Sequence, residues 1–326
     1  MCEMRIICAW EDNLLYLWIV LLLLTAGIIL LISRFCYKIA FYSMNEKEQD
    51  VYAIPPGKQY EEVADLMLQR IYEAEKLEYD LIGITTKDGL HLSARYYHFR
   101  DGAPVQIMFH GYRSNGMREF SITHLLAMKI GYNVISVDER GHGKSGGHTI
   151  TFGIKERYDC LEWANYAVKH FGKETPIFLS GVSMGAATVL MASEFNLPEN
   201  VRCIVADCPY SSPGEIIQKV SKDVRLPVAL TYPFVLIGAL VFGRFKLWES
   251  SPLQAVQKAT KPILVIHGEA DRFVPCDMSR RICASSRGLA KLLTVPYAGH
   301  GLSYLTDADL YEKTLRNFLR SCGVIK

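Results

Sequence analysis

Between Pro176 and Ala192 the chain passes from one structural period to another within five residues. Pro176-Ile177-Phe178-Leu179-Ser180 is a short apolar run of the kind buried in a sheet, and Ala186 to Ala192 is small and helix-compatible. The residues joining them, Gly181-Val182-Ser183-Met184-Gly185, read G-x-S-x-G. Such a turn strains the serine backbone and lifts its hydroxyl above the sheet. It needs glycine on both sides, because a Cβ would collide where strand and helix approach. Taken alone, the pentapeptide fits a strand-to-helix turn that merely contains a serine; the rest of the chain decides.

Strands and helices alternate through the remainder. Leu81–Thr86 and Leu90–His98 flank Lys87-Asp88-Gly89, and Asp-Gly between two alternating runs signals a hairpin. Strands are expected at Val105–Phe109, Tyr132–Val137, Ile177–Ser180, Val201–Ala206, Ile263–Ile266 and Leu292–Val295. Helices are expected at Glu119–Lys129, Tyr158–His170, Ser183–Phe195 and Leu310–Leu319. The pattern implies an α/β fold: a mostly parallel sheet with helices on both faces, opened by an antiparallel hairpin. An insertion from about 209 to 251, apolar from Pro227 to Gly243, interrupts the alternation. Pro227 and Pro233 break it as a membrane span, so it is expected to be a lid over the site.

Leu14 to Ile32 carries no charge, and its nineteen residues nearly match a ~30 Å hydrocarbon core. Glu3, Glu11 and Asp12 before it and Ser33-Arg34-Phe35-Cys36 after it suit an uncleaved anchor better than a signal peptide. Arg5 precedes the span, while Arg34, Lys38 and Lys47 follow it; the positive-inside rule puts the bulk of the chain in the cytoplasm. The expected organisation is a tail over 1–13, a single span over 14–32, a polar linker over 33–58 and one α/β domain over 59–326. Within that domain Glu61–Leu77 has its apolar residues at helical spacing. The net charge of +2 suggests no nucleic-acid partner. Nine cysteines without a C-x-x-C pair suggest neither a disulfide framework nor a metal site.

A serine hydroxyl needs a base, and the base needs an orienting carboxylate. After Ser183 the chain has two histidines, His267 in a strand end and His300 in the loop after the last strand. Ligands sit in loops beyond the carboxyl ends of parallel strands, so His300 fits the base. Asp271, in Asp271-Arg272-Phe273-Val274-Pro275, is the natural acid, with Asp207 and then Glu269 as alternatives. Backbone N–H groups of Met184 and Tyr112 are the expected oxyanion donors, and His110 a loop-shaping residue. Gly141-His142-Gly143-Lys144-Ser145-Gly146 also matches G-x-G-x-x-G, but the loop runs on through Gly147, Thr149, Thr151 and Gly153 where a dinucleotide site needs a helix.

The ordered set His-Gly-x after a strand, Asp138-Glu139-Arg140-Gly141-His142-Gly143-Lys144-Ser145, Gly-x-Ser-Met-Gly, His-Gly-x-x-Asp-x-x-Val-Pro and Gly-His resembles the α/β-hydrolase superfamily. The likeness runs from Leu81 to the C-terminus, nearest to esterase/lipase-like and serine-aminopeptidase-like members, some of them tethered by an N-terminal helix. It implies Ser183 as nucleophile, Asp271 as acid, His300 as base, and Tyr112 and Met184 as oxyanion donors, with no cofactor. The expected function is that of a membrane-anchored serine hydrolase acting on an apolar acyl-containing substrate: an ester, lipid or thioester. The alternatives are a peptidase or amidase on the same residues, and a silent binding scaffold.

Overall fold

The computed structural model describes residues 2–43, 51–55 and 57–326, and of residues 2–14 only the backbone. The chain starts with helix α1 (Cys2–Ala40), followed by α2 (Lys58–Glu61) and α3 (Ala64–Glu75). Then come β1 (Asp80–Thr85), β2 (His91–Tyr97), β3 (Val105–Phe109), α4 (Gly116–Ile130), β4 (Asn133–Val137), α5 (Glu156–Phe171), β5 (Ile177–Val182), α6 (Met184–Ala192) and β6 (Val201–Asp207). The insertion holds α7 (Pro213–Asp223) and α8 (Val228–Val241), and α9 (Pro252–Ala255) follows it. The chain closes with β7 (Ile263–Gly268), α10 (Cys276–Ser285), β8 (Ala290–Val295), α11 (Ser303–Thr306) and α12 (Ala308–Ser321).

The sheet order is β1-β2-β4-β3-β5-β6-β7-β8. The β1–β2 hairpin is antiparallel, β2 joins β4 antiparallel, and all later pairs are parallel. Side chains alternate between two cores, as a period of two requires. Ile107, Leu179, Ile204 and Val265 face α5 and α6 through Trp163, Ala167, Val189 and Leu190. Met108, Phe178, Val205 and Leu264 face α4 and α12 through Phe120, Leu126, Leu315 and Phe318. Chain order reverses where β3 lies beside β5, so the loops leaving these two strands meet in one crevice.

Leu15–Ala40 of α1 is long and apolar enough to cross a membrane. Its helix runs through Ala40, into the stretch read as linker, because its C-terminal end gains a second packed face. Ser33 and Tyr37 are buried there, and Gly238 of α8 lies so near that a Cβ on it would sit 2.6 Å from the Ser33 carbonyl oxygen. Phe41, fully buried, meets Phe152 and Phe245 edge to face. The polar linker therefore starts only after Ala40, and its residues 44–50 and 56 lie outside the described residues. The helix expected over Glu61–Leu77 is divided at Glu62 and Val63, and α3 buries Met67, Ile71 and Ala74.

Candidate active site

Ser183 sits at φ 55°, a left-handed conformation costly for a residue with a Cβ. The reason is the close approach of α6 to the sheet. A Cβ on Gly181 would run into the Gly185 backbone, and one on Gly185 into the carbonyl of Phe109. The glycines permit the approach, and the approach turns Ser183 out of the strand. The Ser183 N–H donates to the Asp207 carbonyl at 2.8 Å, and its own carbonyl accepts from Ala187.

Three side chains from three loops form one hydrogen-bonded line. Ser183 Oγ lies 2.9 Å from His300 Nε2, and His300 Nδ1 lies 2.7 Å from Asp271 Oδ2. Asp271 is held in turn by the N–H groups of Phe273 and Val274, which donate to Oδ1 at 2.9 and 2.8 Å. Burial pushes this carboxyl up, but hydrogen bonds from His267 and His300, and the nearness of His300, outweigh it and hold it well below the ordinary range. Asp207, the alternative acid, stands elsewhere: its Oδ1 accepts from Ser303 at 3.3 Å, and burial pushes it up to about 6. A carboxyl that favours its proton is a poor partner for an imidazolium, so geometry and electrostatics both single out Asp271.

The loop after β3 is shaped from below by two buried histidines. His110 Nδ1–H donates to the Gly111 carbonyl, and its Nε2 accepts from Glu139 N–H at 2.9 Å. His142 Nε2 accepts from Arg113 N–H, and the two rings meet edge to face. Burial lowers the pKa of both, which keeps them neutral. The Asp138–Ser145 motif is the floor of this loop. Asp138 accepts from the N–H groups of Gly116 and Lys144, and Arg140 is paired with Asp159 and Asp88. Gly111 is brought against Ser183, where an added Cβ would lie 3.6 Å from the serine Cβ. Tyr112 thus follows Gly111 beside Ser183, while Met184 opens α6, whose first N–H groups have no partner inside the helix.

Two residues that sequence reasoning passed over, and His267, which it set aside as the base, also hold the site. Gln59 Oε1 accepts from the His300 N–H at 3.3 Å, and Tyr60 O–H donates to the His300 carbonyl at 2.9 Å. Gly299 lies so close to Gln59 that a Cβ would overlap its amide. Behind Asp271, His267 Nε2 lies 3.2 Å from Oδ2 and 2.8 Å from the Val274 carbonyl, so that nitrogen carries the proton; Nδ1 accepts from Ser279. Gln59 and Tyr60 gave no signal, since a polar run between two Pro/Gly stretches has no period. His267 had one, its place at a strand end four residues before Asp271.

A cavity of about 490 Å³ opens over Ser183 and His300, walled by Tyr60, Met67, Ile122, Phe273 and Leu302. None of the residues from 209 to 251 lines it. The insertion was expected as a cover; instead α8 packs on the far side of the Ser183 turn, with Val235 and Ala239 in a cluster that includes Met184 and Ala187. Cys208, Asp271 and His300 also place ligand-capable atoms within 4.8 Å of one another. The Asp271 and His300 atoms are engaged in the hydrogen-bonded line, and burial pushes the Cys208 thiol well up, away from a metal-binding thiolate.

Comparison with known proteins agrees with the fold. Residues 104–235 match the model of the alpha/beta hydrolase fold family, and residues 246–324 match that of the TAP-like proteins. The chain is 27% identical to the uncharacterized Bacillus subtilis protein YqkD over 75% of its own length and 80% of that protein's. It is 24% identical to the bifunctional esterase/perhydrolase DCH of Acinetobacter calcoaceticus over 73% of this chain and 99% of that one. The Pyrococcus furiosus esterase Pf2001 superposes with a TM-score of 0.62 at 25% identity, covering 77% of this chain and 93% of that one.

Proposed function

Because this chain is an esterase-like member of the α/β-hydrolase superfamily, we propose that it is a membrane-anchored serine hydrolase cleaving acyl esters, with lipids and thioesters in the same class. The observation that carries the reading is the line Ser183–His300–Asp271, with both contacts at hydrogen-bond distance. Ser183 Oγ attacks the ester carbonyl carbon as His300 Nε2 takes its proton. Asp271 orients the ring through Nδ1 and stabilises the imidazolium. The oxyanion that forms accepts from the N–H groups of Met184 and Tyr112, each worth ~10²–10³ in rate. Collapse breaks the bond to the leaving alcohol, which takes the proton from His300. Water repeats the sequence on the acyl-enzyme and frees the acid and Ser183.

The apolar side chains Met67, Ile122, Phe273 and Leu302 support an acyl chain as occupant, while Gln59, Arg113, Ser114, Arg118 and Glu119, which also line the cavity, are polar partners for the rest of the substrate. The apolar span of α1 supports tethering to a membrane, and the basic residues after it support a cytoplasmic domain. A fluorophosphonate probe tests the nucleophile: the wild type should label and Ser183→Ala should not. Labelling that persists in Ser183→Ala overturns the assignment. p-Nitrophenyl esters of graded chain length, beside aminoacyl anilides, test ester against amide.

A further inference from the structure

The helix α8 has no charged residue, yet it is apolar on the side that faces away from the domain as well as on the side that packs. Val235, Gly238 and Ala239 are buried against α1 and the Ser183 turn, while Leu230, Leu240 and Val241 are 64%, 46% and 47% exposed. Helices on the surface of a soluble domain turn polar residues outward, so an outward face of this kind marks a contact surface. At 14 residues α8 is only ~21 Å long, too short for a ~30 Å hydrocarbon core. Exposed cations bracket it: Lys222 and Arg225 before, Arg244 and Lys246 after. Among the described residues none of the four has an ion-pair partner, whereas the neighbouring acids Asp223 and Glu249 are paired with Lys219 and Arg157. Alongside lies the last third of α1, with Leu31, Phe35 and Ile39 exposed, and Arg34 above the Phe242 ring.

We propose that α8 is a second membrane-contacting element, lying in the headgroup–acyl boundary of the bilayer that α1 spans, with its flanking cations on lipid phosphates. An apolar helix bracketed by Lys and Arg and too short to span has the features of an interfacial helix. The occupant is the bilayer because the exposed face of α8 continues that of α1, and because the flanking charge left without an ion-pair partner among the described residues is of one sign, opposite to that of an anionic leaflet. The inference rests on the anchored reading of α1 and adds where the site stands. Tyr112 O–H donates to the Ala40 carbonyl and Arg113 to that of Ile39, and both residues line the cavity over Ser183. The mouth of the acyl cavity therefore adjoins the end of the spanning helix, at the level where a lipid presents its ester groups.

Site-specific photo-crosslinking of the full chain in phosphatidylcholine vesicles, with and without phosphatidylglycerol, tests this. p-Benzoylphenylalanine is placed in turn at Leu240, at Leu22 in α1, and at Tyr158 on α5. Lipid adducts are expected at Leu240 and Leu22, at least tenfold above Tyr158. With phosphatidylglycerol present, the triple change Arg225→Gln, Arg244→Gln and Lys246→Gln should lower the Leu240 yield severalfold. A chain-to-chain adduct at Leu240 assigns the face to a second copy and overturns the proposal, as does no adduct there while Leu22 is labelled. Failure at Leu22 as well overturns the anchoring itself, a separate result. Hydrolysis of a short soluble ester by each variant reports whether the fold and the Ser183 chemistry are intact.

Discussion

Two regions approach Ser183 from opposite sides, and they do so with opposite chemistry. The insertion from 209 to 251 carries the uncharged apolar helix α8, which packs on α1 and the back of the Ser183 turn, while its α7 meets Arg281 of α10 and, through Lys219, the Arg272–Phe273 segment. The segment entering α3, with Pro55, Gln59, Tyr60 and Met67, looks like polar linker, yet it walls the cavity and holds both backbone groups of His300. Hydrophobicity reports that a segment leaves water, not what it leaves water for. A few directed hydrogen bonds locate a catalytic loop better than a large apolar area, because only directed bonds have a fixed geometry.

The sharpest break of this contrast would be a site that does not depend on the hydrogen-bonded line both regions flank. His300→Ala should lower kcat for a p-nitrophenyl ester by about 10⁴–10⁶, with both regions folded as judged by circular dichroism. Next comes the acid. Asp271→Asn should cost about 10⁴ in kcat, while Asp207→Asn stays within about threefold. Asp207→Asn has its own signature in stability. With a folded value near 6, above the ordinary carboxylate, native Asp207 binds its proton more tightly than the unfolded chain does. Its contribution therefore falls as pH rises from about 4 to 6, and thermal unfolding across that window should be flatter in the variant.

The two regions are compared directly by smaller changes. Gln59→Ala with Tyr60→Phe should lower kcat by about 10–100-fold with KM for a short ester little changed, since the His300 loop loses its ties while the acyl wall keeps Met67. Gly238→Leu should do the reverse: its Cβ meets the Ser33 carbonyl, so α1 and α8 part, and thermal unfolding should show a loss of about 1–3 kcal/mol while kcat stays within twofold. A Gly238→Leu variant that loses activity but not stability would return the insertion to the role of a lid. Met67→Trp should shift chain-length preference toward shorter acyl groups by about tenfold in kcat/KM, without lowering turnover of the acetate ester.

Much of this was legible along the chain. Five buried strands and the hairpin follow from runs of apolar residues closed by turn residues, since a parallel sheet leaves each central strand no polar face. The order Ser183, Asp271, His300 was legible because loops at one end of a parallel sheet meet whatever their spacing in sequence. The choice of Asp271 over Asp207 needed coordinates: both follow strands, both are buried, and the direction of each carboxylate decides. The C-terminal end of α1 was misjudged because Ser33, Arg34 and Lys38 look like the edge of a membrane span. What continues the helix is a glycine some 200 residues away.

The sequence by itself determined the α/β architecture, the strained serine turn and the set of groups that meet at it, because period, glycine and chain order act locally or through sheet topology. Only the tertiary structure decided that Gln59 and Tyr60 brace His300, that His267 backs Asp271, and that the apolar insertion leans on α1 instead of closing over the cavity. These are contacts between segments as much as 241 residues apart, made by single side chains, and no pattern along the chain records which of many polar atoms will be within hydrogen-bond distance.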